Sequence, residues 1–496
     1  MSKPMIARLF FPTLLGLLTV LAVEARAQHV LTLDDALRIA LDRSIGARRA
    51  REQLRASEAS AEAARRSLYS TVDITLDAPA YSRTLLPQFN TETGRTEFFP
   101  LERLQWSSRL DINQPLIWTN STLTLSGMLY RQDQKDDRPG GAFYRDYYTD
   151  LAVQLRQPLF VPNAQRMALR RARMDYEEAL SEYQRATLDL RFDVTQRFYQ
   201  LYAAQERSII QEDRVRQEEE SFTVGKRKYR AGLIAEVEAL QFEVDLAAAR
   251  NDLFSAQNAL RAQANSFKHR IGLPLADSLR LLLSDTTVTA VMIDAVEALA
   301  LARWTRTDVQ RALNDIERGE MALDETRGSR RIRGDLLLSY GLNNNDEQFA
   351  SLYNELRDTR RATLTVSIPV FDWGRHAQEV EAAEARLRSA QLTAEDLDMT
   401  VEREIGELID RIASASRRAD ILLQSRVIAE IANDISTKRY EVGTIGSTEL
   451  AQARARLLQA RLGALEAVID YHIALADLTR WTGMNFKTRE RVTDTR

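Results

Sequence analysis

The feature that most constrains this chain is a long helical pattern that occurs twice. Pro158, Phe160, Tyr229, Gly232 and Gly272 recur as Pro369, Phe371, Tyr440, Gly443 and Gly483, each 211 positions further on. Five punctuating residues in one ungapped register mark a tandem duplication, so any fold must contain two equivalent halves. Each copy predicts a proline-free helix, from Asn163 to about Tyr229 and from Arg375 to Tyr440. At 1.5 Å per residue each is about 100 Å long. Helices of that length must pack side by side in a coiled-coil-like way. Leu397, Val401, Ile405, Leu408 and Ile412 form a narrow stripe with broad polar faces on either side. That periodicity fits a solvated rod and the wall of a cylinder equally well.

Each long helix is predicted to end in a turn, at Tyr229-Arg230-Ala231-Gly232-Leu233 and Tyr440-Glu441-Val442-Gly443-Thr444. Glycine there supplies the positive φ that a helix C-terminus favours. Return helices follow, Ala235 to Arg270 and Ser447 to Trp481, stopping at Gly272 and Gly483. Ser447 or Thr448 is the expected cap of the second, with Glu449 in its first turn. Upstream, Thr32 caps a helix that runs to about Leu68, and its counterpart spans 294–326. Ala36, Leu37, Ala40 and Ala50 match Ala298, Leu299, Ala302 and Ala312 at a separation of 262, so the first half carries 51 extra residues before Pro158 (262 − 211).

Between these helices the period changes to two. Val72, Ile74 and Leu76 form an apolar row, as do Leu110 and Ile112; Leu123, Leu125 and Leu129; and Leu151, Val153 and Leu155. The second half offers Leu336, Leu338 and Tyr340, then Leu364, Val366 and Ile368, for six candidate strands in all. Alternation alone does not separate a sandwich core from a membrane barrel, and by itself favours the sandwich. Two features favour the barrel. Trp106, Trp118, Tyr130, Phe143, Tyr144, Tyr147 and Tyr148 gather here as an interfacial girdle requires. The first 27 residues also read as a secretory signal, with Lys3 and Arg8 before an apolar run and Ala25-Arg26-Ala27 as the cleavage site.

Composition excludes several functions. With no cysteine there is no disulfide framework, thiolate nucleophile or cysteine metal site. A net charge of −3 with interspersed signs offers no basic field for nucleic acid. The four histidines, His29, His269, His376 and His472, lack ligand or triad spacing, and Glu218-Glu219-Glu220 reads as a solvated helix face. No enzyme activity, cofactor or metal site is expected.

The residues resemble one family, the TolC family of trimeric outer-membrane efflux channels. The carriers are Leu31-Thr-Leu-Asp-Asp-Ala-Leu37, Gln157-Pro-Leu-Phe160, Ile368-Pro-Val-Phe-Asp-Trp-Gly374 and the two Tyr-x-x-Gly tips. The resemblance implies a mainly α fold with a membrane β-barrel. Two tandem repeats of long antiparallel helices would form a trimeric α-barrel, and the strands would form one barrel in outer-membrane lipid. It implies a homotrimer that passively conducts drugs, metal ions or proteins outward with a periplasmic adaptor and an inner-membrane transporter. By resemblance Ala231, Gly232, Leu233, Val442, Gly443 and Thr444 would meet the adaptor. Tyr440 and Glu449 would narrow the entrance, while Gln452 takes the place of a second acid and Ile445 that of an arginine. The family has four strands per copy, so the pair near Arg109–Asn113 and Ser121–Tyr130 is surplus: it fits a wider barrel or an outside hairpin. The alternative function is a non-conducting periplasmic coiled-coil scaffold. The expected layout is signal 1–27, first repeat 28–290, second repeat 291–486 and a polar, frayed tail 487–496.

Overall fold

The computed structural model describes residues 28–90, 93–136, 142–282 and 288–492; the expected signal, 1–27, lies outside them. The first half runs β1 (Gln28–Leu31), α1 (Leu33–Arg43), α2 (Ile45–Arg66), β2 (Thr71–Asn90), β3 (Arg95–Leu116), β4 (Ser121–Asp136), β5 (Phe143–Leu159), α3 (Ala164–Arg230), α4 (Glu236–Ile271) and β6 (Ser278–Leu281). The second runs α5 (Ala295–Thr305), α6 (Thr307–Ser329), β7 (Arg333–Asp346), β8 (Arg357–Ser367), α7 (Arg375–Glu441), α8 (Ser447–Thr482), β9 (Met484–Asn485) and β10 (Glu490–Arg491). α3 and α7 have 67 residues each, α4 and α8 have 36 each, and all four begin and end in the 211 register.

The duplication extends to the cores. Leu190, Val194 and Phe267 are buried around Ala36 and Ala40 in the first half. Their equivalents Val401, Ile405 and Leu478 are buried around Ala298 and Ala302 in the second. Alanine at these four positions, each fully buried, lets the short helices approach the long ones closely. Of the predicted stripe, Val401, Ile405, Leu408 and Ile412 are all buried, and Leu397 packs against them.

Three local expectations are corrected. The helix expected from Thr32 to Leu68 breaks at Ser44, and its counterpart breaks at Arg306, which is 262 residues further on. Ser44 leaves helical geometry because its side chain accepts from Ala47 N and caps the next helix. Arg306 is held by its buried guanidinium, which donates to Asp308 and Glu404 and lies 4.4 Å from the Trp481 ring. The cap of α8 is Gly446, without a side-chain bond, rather than Ser447 or Thr448. The tail does not fray over 487–492: β9 and β10 pair, and Arg489 reaches Glu297 at 2.9 Å.

All six candidate strands form one antiparallel sheet in the order β2-β3-β4-β5-β7-β8, and the surplus pair sits inside it. The β3–β4 turn is tied to the start of α3. Asn163, which caps α3 through Arg166 N, also donates to Ile117 O at 2.6 Å, and Gln165 donates to Ser121 O. Trp118, Phe160, Phe371 and Trp373 stand exposed where strands meet helices. No described helix is long and apolar enough to cross a membrane.

Candidate functional site

Away from the sheet, α3 lies between α4 and α8, and α7 packs outside α8. The long helices therefore form a slab in the order α4-α3-α8-α7, with one helical tip at the far end of each hairpin. The two tips share one hydrogen-bond pattern. Leu233 N donates to Lys228 O and Thr444 N to Arg439 O, both at 2.9 Å, across Gly232 (φ 71°) and Gly443 (φ 78°). This is the closure in which a left-handed glycine lets the chain turn back and satisfy the last carbonyls. Ala231, Gly232, Leu233, Val442, Gly443 and Thr444 are all exposed there.

Just behind the tips the two copies diverge. Tyr229 is 41% exposed, whereas its equivalent Tyr440 is 4% exposed. Tyr440 packs edge-on to Phe242 at 5.8 Å and is enclosed with Leu450, Phe222 and Ile445. Lys228 Nζ lies 4.1 Å from the Tyr440 ring centroid and donates to Tyr440 O at 2.6 Å. Burial, and secondarily the nearby Glu238 carboxylate, push the Tyr440 hydroxyl above its ordinary pKa, with Arg454 opposing. It is therefore a neutral, buried ring at physiological pH. Gly225 makes the contact possible, since a Cβ there would sit 2.6 Å from the Phe242 ring.

Ion pairs continue the seam between α3 and α8. Arg454 reaches Glu218 at 2.9 Å with each side chain only 10% exposed. Further along, Arg461 faces Asp213, Arg207 reaches Glu466 at 2.6 Å, and Arg480 reaches Asp189 at 2.5 Å. The reading of 218–220 as a solvated face is thus wrong for Glu218, which is buried; Glu219 and Arg250 pair at 49% and 61% side-chain exposure.

Glu449 and Gln452 stand exposed on α8, while Tyr440 is enclosed in the seam, and Ile445 is half-buried against Tyr440. Residue-by-residue reading missed Phe242, Lys228, Gly225, Glu218 and Arg454. The repeat itself carried the signal: 211 positions on, Phe242 corresponds to Ala453, Gly225 to Ser436 and Glu218 to Ala429. At these positions the equivalent helices differ in size or charge, and the contact exists in one copy alone.

The family model of the outer membrane efflux protein matches residues 118–272 and 334–484. Among solved structures, the outer membrane protein VceC from Vibrio cholerae aligns with a TM-score of 0.66 at 16% identity, covering 92% of this chain and 96% of that one. The CmeC outer membrane channel of Campylobacter jejuni aligns at 0.66 and 14% identity, covering 91% and 85%. The open state of the MtrE outer membrane channel of Neisseria gonorrhoeae aligns at 0.62 and 16%, covering 91% and 88%. No curated protein matches by sequence.

Proposed function

The chain belongs to the outer membrane efflux protein family, and we propose that it is the passive exit duct of an efflux or secretion assembly, working as a homotrimer without catalysing a reaction. One observation carries this reading: the protomer is an open slab with unpartnered edges at both ends. At the helical end the outer helices α4 and α7 expose Val237, Leu240 and Val244 on one side and Ile421, Ile428, Ile431 and Ile435 on the other. These recur at helical spacing, as the contact stripe of a packed helix does. At the sheet end β2 and β8 are the unpaired edges, and β8 is exposed along its whole length. Open sheet edges are not tolerated in lipid, so closure between copies is the arrangement that satisfies both ends.

In the trimer the tips would form the periplasmic entrance. Ala231–Leu233 and Val442–Thr444 would meet a periplasmic adaptor, which in turn engages an inner-membrane transporter. Glu449 and Gln452 would line the aperture. Tyr440 would narrow it from within the wall, by holding the α7–α8 hairpin against α3–α4. Opening would separate Tyr440 from Lys228 and Phe242, and Arg454 from Glu218. The test is extraction and reconstitution: the chain should need detergent, run as a trimer and conduct in planar bilayers. A protein soluble without detergent that gives no conductance would refute the duct.

A further inference from the structure

The sheet carries more than four strands, and its register constrains how copies join. Following facing residues from β2 gives Thr71, Asn113, Thr124, Gln154, Ser339 and Arg361, polar on all six strands. The next row gives Val72, Ile112, Leu125, Val153, Tyr340 and Arg360, apolar on the first five. Val72, Leu125, Val153 and Tyr340 are all exposed on that face. The surplus strands β3 and β4 thus share both faces in step with their neighbours. A hairpin packed outside the barrel would have no reason to continue a wet row and a lipid row.

We propose that three copies close a single barrel of eighteen strands, six from each, with β8 of one copy antiparallel to β2 of the next and Ser367 opposite Thr71. This rests on the trimeric reading above. Three features of the chain select the register. It levels the helix-proximal ends of the two strands. It faces Val366 with Val72, Leu364 with Ile74 and Ala362 with Leu76, matching apolar to apolar. It sets Arg361 opposite Asp77 on the polar face, an opposite-charge cross-strand pair. Geometry agrees. The row from Thr71 reaches β8 at Arg361, six residues before Ser367, so each copy adds a six-residue stagger over six strands. With about 3.3 Å per residue and about 4.8 Å between strands this gives a tilt of about 35° and a backbone diameter of about 34 Å. The same formula with twelve strands gives about 23 Å. The barrel is then not the narrowest part of the duct, and solute size is limited at the periplasmic end.

The cysteine-free chain makes the test direct. Val72→Cys/Val366→Cys, and independently Ile74→Cys/Leu364→Cys, are treated in membranes with a short thiol bridging reagent suited to the ~5 Å between facing Cβ atoms. Denaturing gels should show covalent trimers for both pairs and none for the parent chain. Val72→Cys/Ile112→Cys and Leu125→Cys/Val153→Cys should bridge within one chain, which happens only if β3 and β4 stay in the sheet. Trimers that conduct but fail to cross-link between copies with either pair, or fail to bridge within the chain, overturn the eighteen-stranded barrel alone. A parent chain that neither trimerises nor conducts overturns the duct itself.

Discussion

Removing the Arg454 guanidinium should unlatch the entrance. Arg454 and Glu218 are each 10% exposed and 2.9 Å apart, so Arg454→Ala leaves a carboxylate enclosed between α3 and α8 without its partner. Breaking a fully buried pair costs about 3–5 kcal/mol. With the residual exposure here, about 2 kcal/mol in each copy is a reasonable share, or about 6 kcal/mol over three copies acting together. Shifting a two-state equilibrium from 1:99 to 99:1 takes about 5.5 kcal/mol, so under the proposed gating one substitution is expected to invert the closed and open populations. Single-channel recording should show Arg454→Ala with raised conductance or open probability, while the trimer persists on gels. Glu218→Gln/Arg454→Met removes both charges and should conduct closer to the parent than Arg454→Ala does, with a coupling of about 1–3 kcal/mol. Strict additivity, or an Arg454→Ala channel with unchanged conductance, would show that the pair is a static part of the wall.

Glu449→Gln should weaken block by divalent cations added on the periplasmic side; an unchanged block removes Glu449 from the aperture. Gly225→Ala drives a methyl to within 2.6 Å of the Phe242 ring and should cost about 1–3 kcal/mol, loosening Tyr440. Its effect on conductance should not add to that of Phe242→Ala, because both act through the same contact. Asp477 is raised above its usual pKa by burial, against the pull of Arg480, Arg411 and Arg185. A raised carboxyl contributes stability that is full below its unfolded pKa of about 3.9 and lost as pH rises through the folded value. The stability of the parent relative to Asp477→Asn should therefore grow on acidification, read as melting temperature across pH 7 to 4; a flat difference refutes the assignment.

The architecture was legible where the sequence repeats its punctuation. Proline before each long helix, glycine after each hairpin arm and one apolar stripe determined four helices to within a few residues. Strand faces were legible because the period is two, and a sheet with one apolar face and one polar face preserves it. The helix breaks were not legible. Ser44 is an ordinary helix residue until its hydroxyl finds Ala47 N. Arg306 reads as a surface charge until Asp308, Glu404 and the Trp481 ring enclose it. The α3–α8 seam was hidden for the same reason: Glu218 and Arg454 are 236 residues apart, and neither periodicity nor spacing relates them.

The contacts of this seam come from differences between the two repeats. Two identical hairpins joined side by side would present identical surfaces and have no preferred direction in which to part. In this chain Phe242, Gly225 and Glu218 belong to the first hairpin, while Tyr440 and Arg454 belong to the second. Each contact uses a residue whose repeat partner differs in size, exposure or charge: Ala453, Ser436, Ala429, Tyr229 and Glu243. The shared register runs through both 67-residue helices, and the departures named here cluster where the two hairpins meet behind the tips. Restoring symmetry should therefore weaken the latch without weakening the wall. Phe242→Ala makes the first hairpin like the second at this point, and it should raise conductance while leaving trimer melting within a few degrees of the parent. Equal loss of both would mean that Phe242 serves the wall, and that the asymmetry has no role in gating.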